Sequence, residues 1–150
     1  MEKKAASQER REEMQNILWD RMTLRVYCDA SLDAYHHLIG VAAIFLFDGS
    51  TNVYSKKLNS KVDKNIEIYA VRFALEKLPI YLKQPILANP PKAIVIYSDY
   101  NEINRFFEDR DNIKIEYLSE EKYHNPWYTA AHNAARREIY LRPKSGKWRK

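Results

Sequence analysis

The chain has 150 residues, enough for one domain and one sizeable core, and its 45% hydrophobic and 30% charged residues exclude a low-complexity, collagen-like or wholly disordered protein. The longest uncharged apolar run, residues 38–47, is half the ~20 residues of a membrane-spanning helix; with mixed charges over residues 1–13 and a single cysteine, Cys28, the expectation is no signal peptide, no membrane partner and a reducing, cytoplasmic setting. The net charge of +5 is concentrated at one end, because residues 136–150 hold seven of the 25 basic but only one of the 20 acidic residues. That tail is either a handle for phosphates or a solvated terminus.

Residues 1–22 form a charged lead-in. Its apolar positions Met14, Ile17, Leu18 and Met22 have helical spacing, so a short helix packing on the body or on a protein partner is expected. Strands are predicted over 24–28, 40–47 and 52–58, with Asp48-Gly49-Ser50 as the hairpin turn between the last two. A longer, mostly polar connection, residues 29–39, separates the first two. Over 65–78 the period changes. Ile66, Tyr69, Ala70, Phe73, Ala74 and Leu78 recur at three and four, a helix with one buried stripe that Pro79 should end or kink. Pro85, Pro90 and Pro91 mark a loop, and 93–97 reads as a strand covered on both faces. A short helix over 101–107 and a strand over 113–118 follow. The last element is a helix over 126–140, with Asn125 suited to its N-cap and Pro126 to its first turn. The order is β-β-β-α-β-α-β-α, preceded by the lead-in (1–22) and followed by a basic tail (142–150), with the domain itself over 23–141.

Three acids fall at chemically suggestive places. Asp29 directly follows the first predicted strand, Asp99 closely follows the fourth, and Glu67 lies in the first turn of the first long helix. Parallel pairing of strands one and four would bring Asp29 and Asp99 to one sheet edge, and a helix packed across that sheet would aim Glu67 at them. Singly, each has an ordinary use as a turn cap, a helix cap or a helix-dipole partner. Converging, three carboxylates repel unless a cation sits among them. Hard oxygen ligands select Mg²⁺ or Mn²⁺, and two such ions ~4 Å apart are the usual arrangement for in-line attack on a phosphodiester.

These segments resemble the ribonuclease H-like nucleases. Tyr27-Cys28-Asp29-Ala30-Ser31 is similar to that family's first-strand motif, Ile66-Glu67-Ile68-Tyr69-Ala70-Val71-Arg72-Phe73-Ala74-Leu75 to its helix motif, and Ile96-Tyr97-Ser98-Asp99-Tyr100 to its strand-end motif. The resemblance covers residues 24–140. It implies an α/β fold with a five-stranded mixed sheet and helices on both faces, and metal-dependent endonuclease activity. Asp29, Glu67 and Asp99 would hold two Mg²⁺ or Mn²⁺ ions, and the substrate would be the RNA strand of an RNA–DNA hybrid, or else structured DNA or a single strand.

Two departures from the family pattern bear on activity. The family carries a fourth carboxylate early in the final helix, a few residues after a His-Asn pair. Here His124-Asn125 resembles that pair, but Thr129 stands where the acid would be, and after the second pair, His132-Asn133, the equivalent position is Arg137. His132, three residues beyond Thr129, is the candidate substitute, as a metal-binding nitrogen or a general acid/base, against the ordinary alternative of a packed or solvated helix residue. Glu120 and Glu121 are further substitutes, and His124 is a loop residue that could aid product release. The glycine-rich grip segment after the first aspartate is also missing, replaced by residues 31–37 with His36-His37. The alternative is therefore a non-catalytic nucleic-acid-binding module, or an assembly factor docking through residues 1–22. Cys28 is expected to be buried and inert, and tyrosines such as Tyr97, Tyr100, Tyr117, Tyr123 and Tyr128 to pack on sheet and helices, some near the acidic edge where bases could stack.

Overall fold

The computed structural model describes residues 2–59, 65–84, 89–119 and 124–140. Its elements are α1 (Glu2–Leu18), β1 (Thr23–Asp33), β2 (Leu38–Phe47), β3 (Ser50–Asn59), α2 (Glu67–Leu82), β4 (Ala93–Ser98), a single 3₁₀ turn at Ile103–Arg105, β5 (Ile113–Tyr117) and α3 (Pro126–Tyr140). The five strands form one mixed sheet in the order β3-β2-β1-β4-β5. β1 pairs antiparallel with β2 and parallel with β4, and β4 pairs parallel with β5. The β-rich first half and the parallel second half thus meet at β1, the central strand. No helix among the described residues is long and apolar enough to cross a membrane.

Alternation along the strands sorts side chains to two faces. Leu24, Val26, Cys28 and Ala30 of β1 join Val41, Ala43 and Phe45 of β2 in the main core, beneath Ile68, Val71, Phe73, Ala74 and Leu78 of α2. Tyr27, Ile44 and Leu46 face the other way, against Ala131 of α3 and Ile17 and Leu18 of α1. The lead-in is thus helical, as its spacing predicts, and its end packs on the body.

Four expectations are corrected. The connection over 29–39 is not a long loop, because β1 and β2 stay paired out to Asp33↔Leu38 and turn over residues 34–37. The polar side chains beyond Ala30 hide a strand whose outer end is solvated. His36 and His37 therefore sit in a turn, where His36 Nδ1 meets Asp33 Oδ2 at 2.8 Å and His37 has φ 57°. Pro79 does not end α2, which runs one turn further to bury Tyr81 against Phe45, their ring centroids 4.9 Å apart. Pro79 itself sits on the exposed side of the helix. The helix over 101–107 is only the 3₁₀ turn anchored by fully buried Ile103. Lastly, β4 is enclosed on one face and only half-covered on the other, the alternation running through Ile94, Ile96 and Ser98. The doubly covered strand is β2, buried from Ile39 to Phe47. The basic tail 142–150, Glu120, Glu121, Pro85 and Tyr123 lie outside the described residues.

Candidate metal centre

The parallel β1–β4 pairing ends at Tyr27↔Tyr97, whereas β1 continues to Asp33. Asp29 therefore lies within β1, two residues beyond the point where β4 stops pairing, and not after the strand as its sequence position suggests. Asp99 immediately follows the last residue of β4. The two carboxylates meet at the step where one strand outruns its neighbour. α2 begins at Glu67, whose backbone N–H donates to Asn65 Oδ1 at 2.8 Å, so this first helical residue overhangs the same step. One carboxylate oxygen from each of Asp29, Glu67 and Asp99 lies within 4.8 Å of the others. The convergence inferred from the sequence is present.

α3 closes the site from the opposite face of the sheet. Asn125 is its N-cap, as predicted: Oδ1 accepts the backbone N–H groups of Trp127 at 2.9 Å and Tyr128 at 2.8 Å. This fixes the first turn of the helix, and Tyr128 and His132, four residues apart, project from it toward the acids. The Tyr128 hydroxyl reaches Asp29 Oδ1 at 3.2 Å and Asp99 Oδ2 at 2.9 Å. His132 Nδ1 lies 2.7 Å from Asp29 Oδ2. Thr129 is exposed, its hydroxyl donating back to the Asn125 carbonyl at 3.1 Å. Hence α3 brings a phenol and an imidazole to the acids, while the hydroxyl of the residue at the expected acidic position is engaged by its own helix. His132 was legible as a candidate. Tyr128 reads in the sequence as a packing tyrosine, and its spacing of four from His132 is the one signal of its place at the site.

Electrostatics at the site are severe. Asp29 is 2% exposed. Burial pushes its carboxyl above the ordinary range, against the lowering effect of the His132 contact, with the Asp99 charge adding to the rise. Glu67 is pushed well up, first by burial and then by the charges of Asp29 and Asp99, while the Ala30 N–H pulls the other way. Tyr128 is raised by burial and by the acids it touches, so its hydroxyl keeps its proton as a donor. Cys28, fully buried, has its thiol pushed up by desolvation and by Glu67 and Asp29. It is packed and chemically quiet.

Glu67 Oε1 is enclosed and has no hydrogen-bond partner. A buried carboxylate oxygen without a donor is costly unless it is protonated or a cation meets it. That orphan, three converging hard-oxygen ligands and the mutual repulsion of the acids together fit a divalent cation, so the cluster can hold a metal ion. It is the one such group among the described residues. Comparison of the sequence with protein-family models and with curated proteins gives no match.

Proposed function

We propose that this domain is a ribonuclease H-like, metal-dependent endonuclease that hydrolyses phosphodiester bonds, with the RNA strand of RNA–DNA hybrids as its preferred substrate. The observation that carries the proposal is the convergence of Asp29, Glu67 and Asp99 at the end of β4, with Glu67 Oε1 enclosed and lacking a donor. The strand order and the motifs around the three acids support the same family. In this reading the three carboxylates hold Mg²⁺ or Mn²⁺, two ions in the full complement. When bound, such ions supply Lewis acidity for activating water and for stabilising charge on the leaving 3′-oxygen. The chain's own residues orient the ligands: Tyr128 donates to Asp29 and Asp99, and His132, 45% exposed at its side chain, stands at the mouth of the cluster where it can move a proton.

The test uses end-labelled RNA–DNA hybrid, duplex DNA and single strands, each with Mn²⁺ or EDTA. We expect Mn²⁺-dependent cleavage of the hybrid that falls by about 10²–10³-fold in Asp29→Asn, since a group that stabilises the reacting charges is lost. Equal cleavage by wild type and variant, or cleavage in EDTA, would rule the assignment out. The second reading, a non-catalytic nucleic-acid-binding module, is favoured by one observation: α3 brings no carboxylate to the cluster, and Thr129 stands where the fourth acid is expected. Binding of hybrid without cleavage under every condition would select it.

A further inference from the structure

We propose that Tyr128 is the positioning residue of the acid cluster, its hydroxyl setting the separation and orientation of Asp29 and Asp99 for cation binding. The inference rests on the metal-binding reading above and adds to it a role for a residue that the family resemblance does not supply. One phenolic proton faces two carboxylates, one within β1 and one just past the end of β4, at 3.2 Å to Asp29 Oδ1 and 2.9 Å to Asp99 Oδ2. β1 and β4 have already stopped pairing at this level, so the ladder hydrogen bonds that hold their spacing lower down are absent here. Tyr128 takes their place. With His132 Nδ1 at 2.7 Å from Asp29 Oδ2, both Asp29 oxygens are engaged from α3, which fixes the rotation of that carboxylate as well as its distance from Asp99.

The tyrosine is itself well held. Its N–H is bound by the Asn125 cap at 2.8 Å, its side chain is half-buried, and its ring stacks on His132 with centroids 6.3 Å apart. A hydrogen-bond donor from α3 also eases the repulsion between Asp29 and Asp99, where an additional carboxylate would increase it. Partners of this kind behind metal ligands typically govern metal affinity by 10–100-fold.

The experiment is calorimetric titration of the metal-stripped full chain with Mn²⁺, paired with the electron paramagnetic resonance line shape of bound Mn²⁺. Tyr128→Phe keeps the ring and removes only the donor. We expect its Mn²⁺ affinity to fall by about 10–100-fold and the line shape to broaden, with circular dichroism in EDTA unchanged. Thr129→Ala, which removes a hydroxyl bonded to the Asn125 carbonyl and not to the acids, should bind as wild type does. Unchanged affinity and line shape in Tyr128→Phe would overturn the inference while leaving the metal centre standing. Failure of the wild type itself to bind Mn²⁺ would remove the metal centre, and this role with it. Should Tyr128→Phe not fold, Asn125→Ala, which releases the cap that holds Tyr128 and leaves every acid in place, should lower Mn²⁺ affinity in the same direction, and unchanged affinity there would overturn the inference.

Discussion

Glu67 is where the cost of the cluster is concentrated. Its carboxyl has Oε1 enclosed with no donor, and burial and the neighbouring acids hold its pKa well above the ordinary carboxylate value. In the unfolded chain that value is ordinary. At pH between the two, the folded chain keeps a proton that the unfolded chain has lost, so stability falls as pH rises through this interval. Below both values the cost is absent, and above both it is complete. Metal-free protein should therefore melt at a lower temperature at pH 8 than at pH 5, and saturating Mg²⁺ should recover part of the difference by binding only the folded form. Glu67→Gln should flatten this slope and, in EDTA at pH 8, raise stability by ~1–2 kcal/mol, or about 2–8 °C, as scanning calorimetry will show. A lower midpoint for the Gln variant would mean that the carboxylate is satisfied by something other than a cation.

Between elements, the decisive contact is α3 against β2. Helix and strand approach closely because the facing residues are small: Ala42 on β2 packs with Ala134 and Ala135 on α3. At Gly40 a Cβ would run into the Ala135 carbonyl and the Glu138 side chain. Any side chain there must push the helix backbone away from the sheet, and the same helix carries Tyr128 and His132 to Asp29. Gly40→Ala should cost about 1–3 kcal/mol in urea denaturation and also weaken Mn²⁺ binding, although Gly40 is on no ligand. Loss of stability with full metal affinity would show that α3 can shift without moving Tyr128. α2 teaches a related lesson. The periodicity through Leu78 was legible, but its continuation past Pro79 is settled by the buried place that Tyr81 finds beside Phe45, a tertiary contact outweighing a local breaker.

Across the whole molecule, α1 and the β2–β3 hairpin lock the start of the sheet. Asp48 and Gly49 turn the hairpin with φ of 49° and 78°, as a two-residue turn of this hand requires. Their N–H groups donate to the carbonyls of Asp20 at 3.0 Å and Leu18 at 2.7 Å, and the Trp19 ring lies where a Cβ on Gly49 would fall. Asp20 Oδ2 pairs with Arg25 at 2.8 Å while Oδ1 accepts the Met22 and Thr23 N–H groups. Midway along its length α1 reaches the entry to α3, Arg10 donating to the His124 carbonyl at 2.6 Å. The lead-in is thus an integral cover for Tyr27, Ile44, Leu46 and Leu118. Removing residues 1–18 should lower stability by about 2–4 kcal/mol, from Ile17 and Leu18 alone, measurable as a lower urea midpoint. An unchanged midpoint would make α1 a free arm available to a partner.

The order of the five strands and the two long helices after the lead-in, the buried stripe of α2, the Asn125 cap, the Asp48-Gly49 turn and the identity of the three acids were all legible in the sequence, because each depends on short-range spacing, turn chemistry or the scarcity of reasons to bury a carboxylate; the helix expected over 101–107 was not, since a single turn held by buried Ile103 takes its place. Their convergence was inferred from one assumption, the parallel β1–β4 pairing, which the sheet realises. What the tertiary structure alone decided is the register and reach of things. β1 runs on past its apolar residues because β2 pairs with it. α3 lies close enough, through Gly40 and its alanines, to put Tyr128 across two strands. The hydroxyl of a tyrosine is indistinguishable in sequence from any half-buried packing residue. Its role comes from which carboxylates, 99 and 29 residues away along the chain, end up within hydrogen-bonding distance.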